Sequence, residues 1–153
     1  MEALLTLFES IITHLRELTE LAKRKTTAVR KSDLIELDKI LKEEQAQSLA
    51  LRGLEQKRTS LLTRLGLESI PLTDLPAKFP PELQQKAREC AETLRREFAI
   101  YQSAAEIARN TLECNLHEVE KFLAAAGAAN NNGTDYRNGE VDAPPQMKAD
   151  FRA

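Results

Sequence analysis

The chain has no tryptophan, only two tyrosines and five phenylalanines, and just five glycines. Aromatics at 5% beside charged residues at 30% rule against a thick core, and suit coiled-coil-like packing in which narrow apolar seams replace one. No apolar run approaches the ~20 residues of a membrane span, so no membrane insertion is expected. The start, Met1-Glu2-Ala3-Leu4-Leu5, lacks a charged n-region and a continuous apolar h-region, so no signal peptide is expected. Basic residues are not in excess: the formal net charge is −2, which argues against nucleic acid as a main partner because phosphate binding needs cations. The patch Lys23-Arg24-Lys25 with Arg30-Lys31 is a local exception, read as cations near the negative end of a helix dipole.

Chemistry-bearing residues are equally sparse. Cys90 and Cys114 fall on one expected helix, roughly 36 Å apart along its axis, whereas a disulfide needs Cα atoms within about 7 Å. Two reduced, buried thiols are therefore expected, as in a cytosolic protein. Di-iron bundles require Glu-x-x-His pairs, but Cys114 precedes His117 by three and Ile11 precedes His14 by three. A metal site from Cys114, His117 and Glu118 is outweighed by a solvent-edge histidine beside a core thiol. No phosphate loop, nucleophile elbow or HExxH motif occurs, so neither enzyme activity nor a cofactor is expected. Asn132-Gly133-Thr134 has the form of a glycosylation sequon but, without a secretory signal, reads as a turn.

What is present is heptad spacing. Ala87, Ala91, Leu94, Phe98, Tyr101, Ala105, Ala108, Leu112, Asn115, Val119, Phe122 and Ala126 step four and three. No Gly or Pro interrupts them, so they fit one helix of about 45 residues, an elongated rod roughly 65 Å long. Asn115 reads as a register-fixing polar residue in that seam. An earlier seam, Leu4, Phe8, Ile11, Leu15, Leu18, Ala22, Lys25 and Val29, is widened by Leu5, Leu7, Ile12 and Leu21. That helix should touch two neighbours at its start and one further along.

The expected fold is all-α: an elongated antiparallel helical hairpin plus a third long helix, with helices at about 2–30, 34–65 and 81–126, and a flexible tail over 127–153. Asp33 with Glu36 has capping-box spacing, and Gly66 is placed to end the second helix in a left-handed conformation. Leu34, Leu37, Leu41, Leu51, Leu62 and Leu65 are read as one seam of helix two, with Glu44, Ser48, Glu55 and Arg58 making its middle polar, either exposed or paired across the hairpin. Pro71, Pro76 and Pro80 suit an extended connector, Pro81 the first turn of helix three, and Gly127 its end. Glu82–Lys86 and Glu92–Arg96 have the spacing of outer-face ion pairs. The tail's Asn, Gly, Asp and Pro bury too little to order it, and Tyr136 within it offers a docking anchor. Beside the helix-three seam, Ile100, Ile107, Leu116 and Leu123 are read as a second stripe, able to line a groove for another amphipathic helix or to be used up by the hairpin or by self-association.

Glu44-Gln45, Leu49, Leu54-Glu55, Arg58 and Leu61-Leu62 on helix two resemble the pattern of the FlgN-type flagellar export chaperones. The break Ala28-Val29-Arg30-Lys31-Ser32-Asp33-Leu34, the late asparagines Asn110 and Asn115, and Tyr136 followed by Gly139 are similar to that family as well. The resemblance implies a cytoplasmic, cofactor-free chaperone. Such a chaperone would bind the C-terminal helices of hook-associated (hook–filament junction) proteins, prevent their premature assembly and deliver them to the export gate. The expected client groove is Leu94, Phe98, Ile100, Tyr101, Ile107, Leu112, Leu116, Val119 and Leu123, opposite the polar-centred part of helix two. Tyr136 matches the family's tail tyrosine for docking on the gate's cytoplasmic domain. The alternative is a structural coiled-coil scaffold or adaptor forming a homo-oligomer, and a homodimer is left open in either case. An enzyme of the ferritin-like class is a weaker third, disfavoured by the histidine count.

Overall fold

The computed structural model describes residues 1–131, which form three long helices and, among the described residues, no strand. Helix α1 spans Glu2–Arg30, α2 Leu34–Leu65 and α3 Pro81–Asn131, with a single 3-10 turn at Leu75–Lys78 before α3. The all-α expectation holds, and the bounds of the first two helices are as read from the sequence. Two compact units divide the chain, Met1–His117 and the residues from Glu118 onward.

Local chemistry sets each boundary. The end of α1 is a Schellman motif: Asp33 N–H donates to Ala28 O at 2.9 Å and Ser32 N–H to Val29 O at 3.1 Å. The left-handed position in that motif is held by Ser32, at φ 54°, rather than by glycine. Asp33 then caps α2 by accepting from Glu36 N–H at 3.0 Å. The Glu36 side chain does not return to close a capping box; it pairs with Arg24. Gly66, at φ 67°, ends α2 with a second Schellman motif, in which Leu67 N–H donates to Leu62 O at 2.9 Å and both side chains enter the core.

The connector and the end of α3 differ from expectation. Residues 67–80 are folded rather than extended: Asp74 N–H donates to Pro71 O and Phe79 N–H to Pro76 O, and Leu67, Leu75 and Phe79 are buried against α1 and α3. Gly127 lies inside α3, not at its end. Alanines flank it on both sides, and a lone glycine costs only about 1 kcal/mol relative to alanine.

α1 is the spine of the first unit. Leu4, Leu5, Phe8, Ile11, Ile12 and Leu15 are all nearly inaccessible, so its first half is apolar around most of its circumference. Further along, Leu18, Leu21 and Ala28 pack with Ile40 of α2, while Ala22 packs with Ala104 and Ala108 of α3. Two neighbours therefore flank α1 beyond its first half, against the expectation of one. The second contact is made by alanines, whose small side chains allow close approach but weigh little in a hydropathy pattern.

Ion pairs fix the helix directions. Arg24 NH1 donates to Glu43 Oε2 at 2.8 Å and Arg24 also binds Glu36; Lys25 pairs with Glu44, and His14 Nδ1 stands 2.6 Å from Gln47 Oε1. Partners fall along α1 as they rise along α2, so the two are antiparallel. Lys86 to Glu9 at 3.2 Å and Arg16 to Glu97 at 3.0 Å run α3 parallel to α1. Of the basic patch near the end of α1, Arg24 and Lys25 clasp α2. Among the described residues the expected Glu82–Lys86 and Glu92–Arg96 pairs are absent, Lys86 and Arg96 lying instead beside Glu9 and Glu97.

The inward face of α2 also differs from expectation. Leu37, Ile40, Glu44, Gln47, Leu51, Leu54, Arg58 and Leu61 face inward, each buried or half-buried, whereas Leu34, Leu41 and Leu65 are exposed. Ile40 is completely enclosed and anchors the first half of α2. The polar members of the inward face are satisfied there, Glu44 by Lys25 and Gln47 by His14.

Candidate functional site

The middle of α2 presents Glu55 and Arg58 instead of leucines where it passes the first half of α1. A groove of about 380 Å³ lies there between α2 and α3. Phe8, Ile11 and Leu15 of α1 form its floor, with Leu51 and Leu94 on the walls and Leu72 of the connector beside them. Its rim is Glu55, Arg58, Arg95 and Phe98. Arg58 Nε donates to Glu55 Oε2 at 2.9 Å, so one lip carries a neutralised ion pair. Phe98 on the other lip is 48% exposed, a large apolar ring left in solvent at the mouth of an apolar groove. An apolar floor with a charged rim is the surface that an amphipathic helix covers well, its apolar stripe inward and its polar flanks on the rim.

The expected groove residues do not all gather there. Leu94 and Phe98 line it. Tyr101 is turned into the bundle, half-buried against two of its apolar clusters. Its phenol is pushed up from its ordinary value, first by burial and then by the carboxylate of Glu44. Ile100 and Ile107 line a different groove, between α3 and α1. Leu112 is half-buried and Leu116 is 60% exposed. In the segment after His117, Val119, Phe122 and Leu123 are exposed on the helix surface. Tyr136 lies outside the described residues.

Ile100, Ile107, Leu116 and Leu123 are all exposed, and the first three are apolar surface of α3 that the hairpin leaves open. They are not one stripe, however. At about 100° per residue, the nine positions from Ile107 to Leu116 turn the helix by half a revolution. Leu116 falls instead in line with Phe98, eighteen residues or five turns earlier. The floor residues on α1 and Leu72 were not anticipated. A pointer to them existed in the polar interruption of the α2 seam, which marks where the groove opens beside α1.

The thiols also part company. Cys90 is buried and Cys114 exposed, so the expectation of two buried thiols holds for one, and His117 is not beside a core sulfur. Among the described residues no group of three or more His, Cys, Asp or Glu side chains is placed to hold a metal ion. No described helix is long and apolar enough to cross a membrane.

The described residues form a helical bundle with an apolar groove beside its spine. The chain belongs to the FlgN family: the FlgN protein family model matches residues 1–139. That membership places it among flagellar export chaperones. No curated protein and no solved structure matches the chain.

Proposed function

We propose that the chain is a cytoplasmic chaperone that holds the C-terminal helices of hook-associated proteins in the α2–α3 groove, prevents their premature assembly and delivers them to the export gate. The observation that carries this reading is Phe98, exposed at the mouth of a groove whose floor is apolar. A terminal helix made to pack on a neighbour in an assembled structure exposes an apolar stripe beforehand, and a substitute groove can cover it without chemistry. Burial contributes roughly 25 cal/mol per Å², opposed by the ordering of both partners, so micromolar to nanomolar affinity is expected. Tyr136 is assigned the separate task of docking on the cytoplasmic domain of the gate.

The test is calorimetric titration with a hook-associated protein's C-terminal helical peptide. Phe98→Asp and Leu116→Asp should abolish binding, and both side chains are exposed enough for the fold to tolerate a carboxylate. Tyr136→Ala should leave peptide binding intact and weaken binding to the gate's cytoplasmic domain. Equal loss of peptide affinity in all three variants would refute this division. The competing reading, a coiled-coil scaffold, draws on the same exposed apolar residues. It requires a tight oligomer by light scattering that is indifferent to the peptide, where chaperoning requires a 1:1 complex.

A further inference from the structure

Ile100 and Ile107 are 43% and 50% exposed, and they face away from the α2–α3 groove. They form one wall of a second groove, about 620 Å³, between α3 and the last two turns of α1. Ala104 and Thr26 lie at its base. Its charge is one-sided: Lys23, Arg30 and Arg96 line it, and no carboxylate does. Among the described residues Arg30 has no carboxylate partner, and Lys23 is matched by Glu20 at 2.7 Å. Arg96 stands 3.7 Å from Glu97, but that carboxylate oxygen already accepts from Arg16 at 3.0 Å. A local cationic excess thus sits on a chain whose formal net charge is −2.

We infer that this α1–α3 groove is a second docking site, for an amphipathic helix whose apolar stripe is flanked by acidic residues. Two apolar side chains seven residues apart meet a stripe of the same helical spacing on a partner. From Arg96 to Ile107 the groove runs about 16 Å, which admits roughly three turns of helix. Charge complementarity at the rim then selects carboxylates over lysines in the partner's flanks. The α2–α3 groove has a weaker excess, since Glu55 and Arg58 neutralise one another on one lip and leave Arg95 on the other. Nucleic acid would leave the apolar wall uncovered. The assignment does not depend on which client occupies the α2–α3 groove.

The probes are two fluorescein-labelled synthetic peptides of about 18 residues, long enough to hold helical structure. They share one leucine stripe at i, i+3, i+4 and i+7 and differ only in carrying Glu or Lys at the flanking positions. Anisotropy with the full chain should show the Glu peptide binding about tenfold tighter than the Lys peptide at low salt, with the gap closing at about 0.5 M salt. Ile107→Asp should remove the preference for the Glu peptide and Phe98→Asp leave it. The double variant Arg30→Glu, Arg96→Glu, which keeps the apolar wall, should invert the preference. Circular dichroism checks that each variant remains helical. Equal affinity for the two peptides overturns the proposal, as does no binding of either, or loss of the preference with Phe98→Asp in place of Ile107→Asp. Binding of phosphatidylserine vesicles but not of the Glu peptide overturns it in favour of a membrane surface. Dimerisation abolished by Ile107→Asp overturns it in favour of a second copy of the chain.

Discussion

Ser32 holds a left-handed backbone conformation, at φ 54°, because the chain must reverse within three residues to bring α2 back along α1. A Cβ in that region crowds the following carbonyl, and glycine removes the crowding. Ser32 is exposed and, among the described residues, its side chain has no hydrogen-bond partner, so little is lost with it. Ser32→Gly is expected to stabilise the chain by about 0.5–1 kcal/mol, read as a higher urea midpoint with an unchanged slope. The thiols give a second prediction at this scale. Cys90 is buried, and its thiol is pushed up from its ordinary value by that burial and then by Glu9, with Lys86 opposing. The thiolate is the reactive species, so at pH 8 an aromatic disulfide reagent should titrate Cys114 rapidly and Cys90 only after denaturant is added. Equal rates at both sites would contradict the packing of α3 on α1 at Cys90.

Between elements, the clasp of Arg24 on Glu36 and Glu43 joins α1 to α2. The hydrogen bond from Arg24 holds the Glu43 carboxyl below its ordinary value of 4.5, against an opposing effect of burial. A carboxyl depressed on folding stabilises the fold above the unfolded value, and that contribution is lost as pH falls through the folded one. Urea midpoints at pH 7 and pH 3 should therefore fall less in Glu43→Gln than in the parent chain, by a small amount because the pair is largely in solvent. Element existence was legible in the sequence because its punctuation is chemical: Asp33, Gly66 and Pro81 each sit where a helix starts or stops. The facing of α2 was less so. Counting leucines favoured Leu34 and Leu41, yet Ile40 is the enclosed residue, since the face that meets α1 also carries Glu44 and Gln47. Those polar residues count against a seam until their partners, Lys25 and His14, are known. The groove was legible only from its α3 side. Its floor depends on which part of α1's broad apolar surface faces the gap between α2 and α3, and that is a property of packing, not of either helix alone.

Across the first unit, burial is distributed very unequally between the two arms of the hairpin. Fourteen residues of α1 are buried against two of α2, Ile40 and Leu62. Those two stand near opposite ends of α2, and the stretch between them is held by half-buried contacts and by ion pairs exposed in part to water. Opening free energy follows the burial that must be undone, so α2 should open locally at a smaller cost than the unit as a whole. Hydrogen exchange should accordingly show the slowest amides in α1 from Leu4 to Val29, with amides from Leu41 to Ser60 exchanging faster by at least about tenfold. Both helices have backbone hydrogen bonds of the same kind, so intrinsic helix formation does not produce that difference. A helix seated in the α2–α3 groove would bridge the lip at Glu55 and Arg58 to Phe98, and would slow the middle of α2 while leaving α1, already limited by global unfolding, nearly unchanged. Equal protection of α1 and α2 in the free chain would mean that the polar middle of α2 is as firmly seated as its ends, and the groove could not then widen to take a guest.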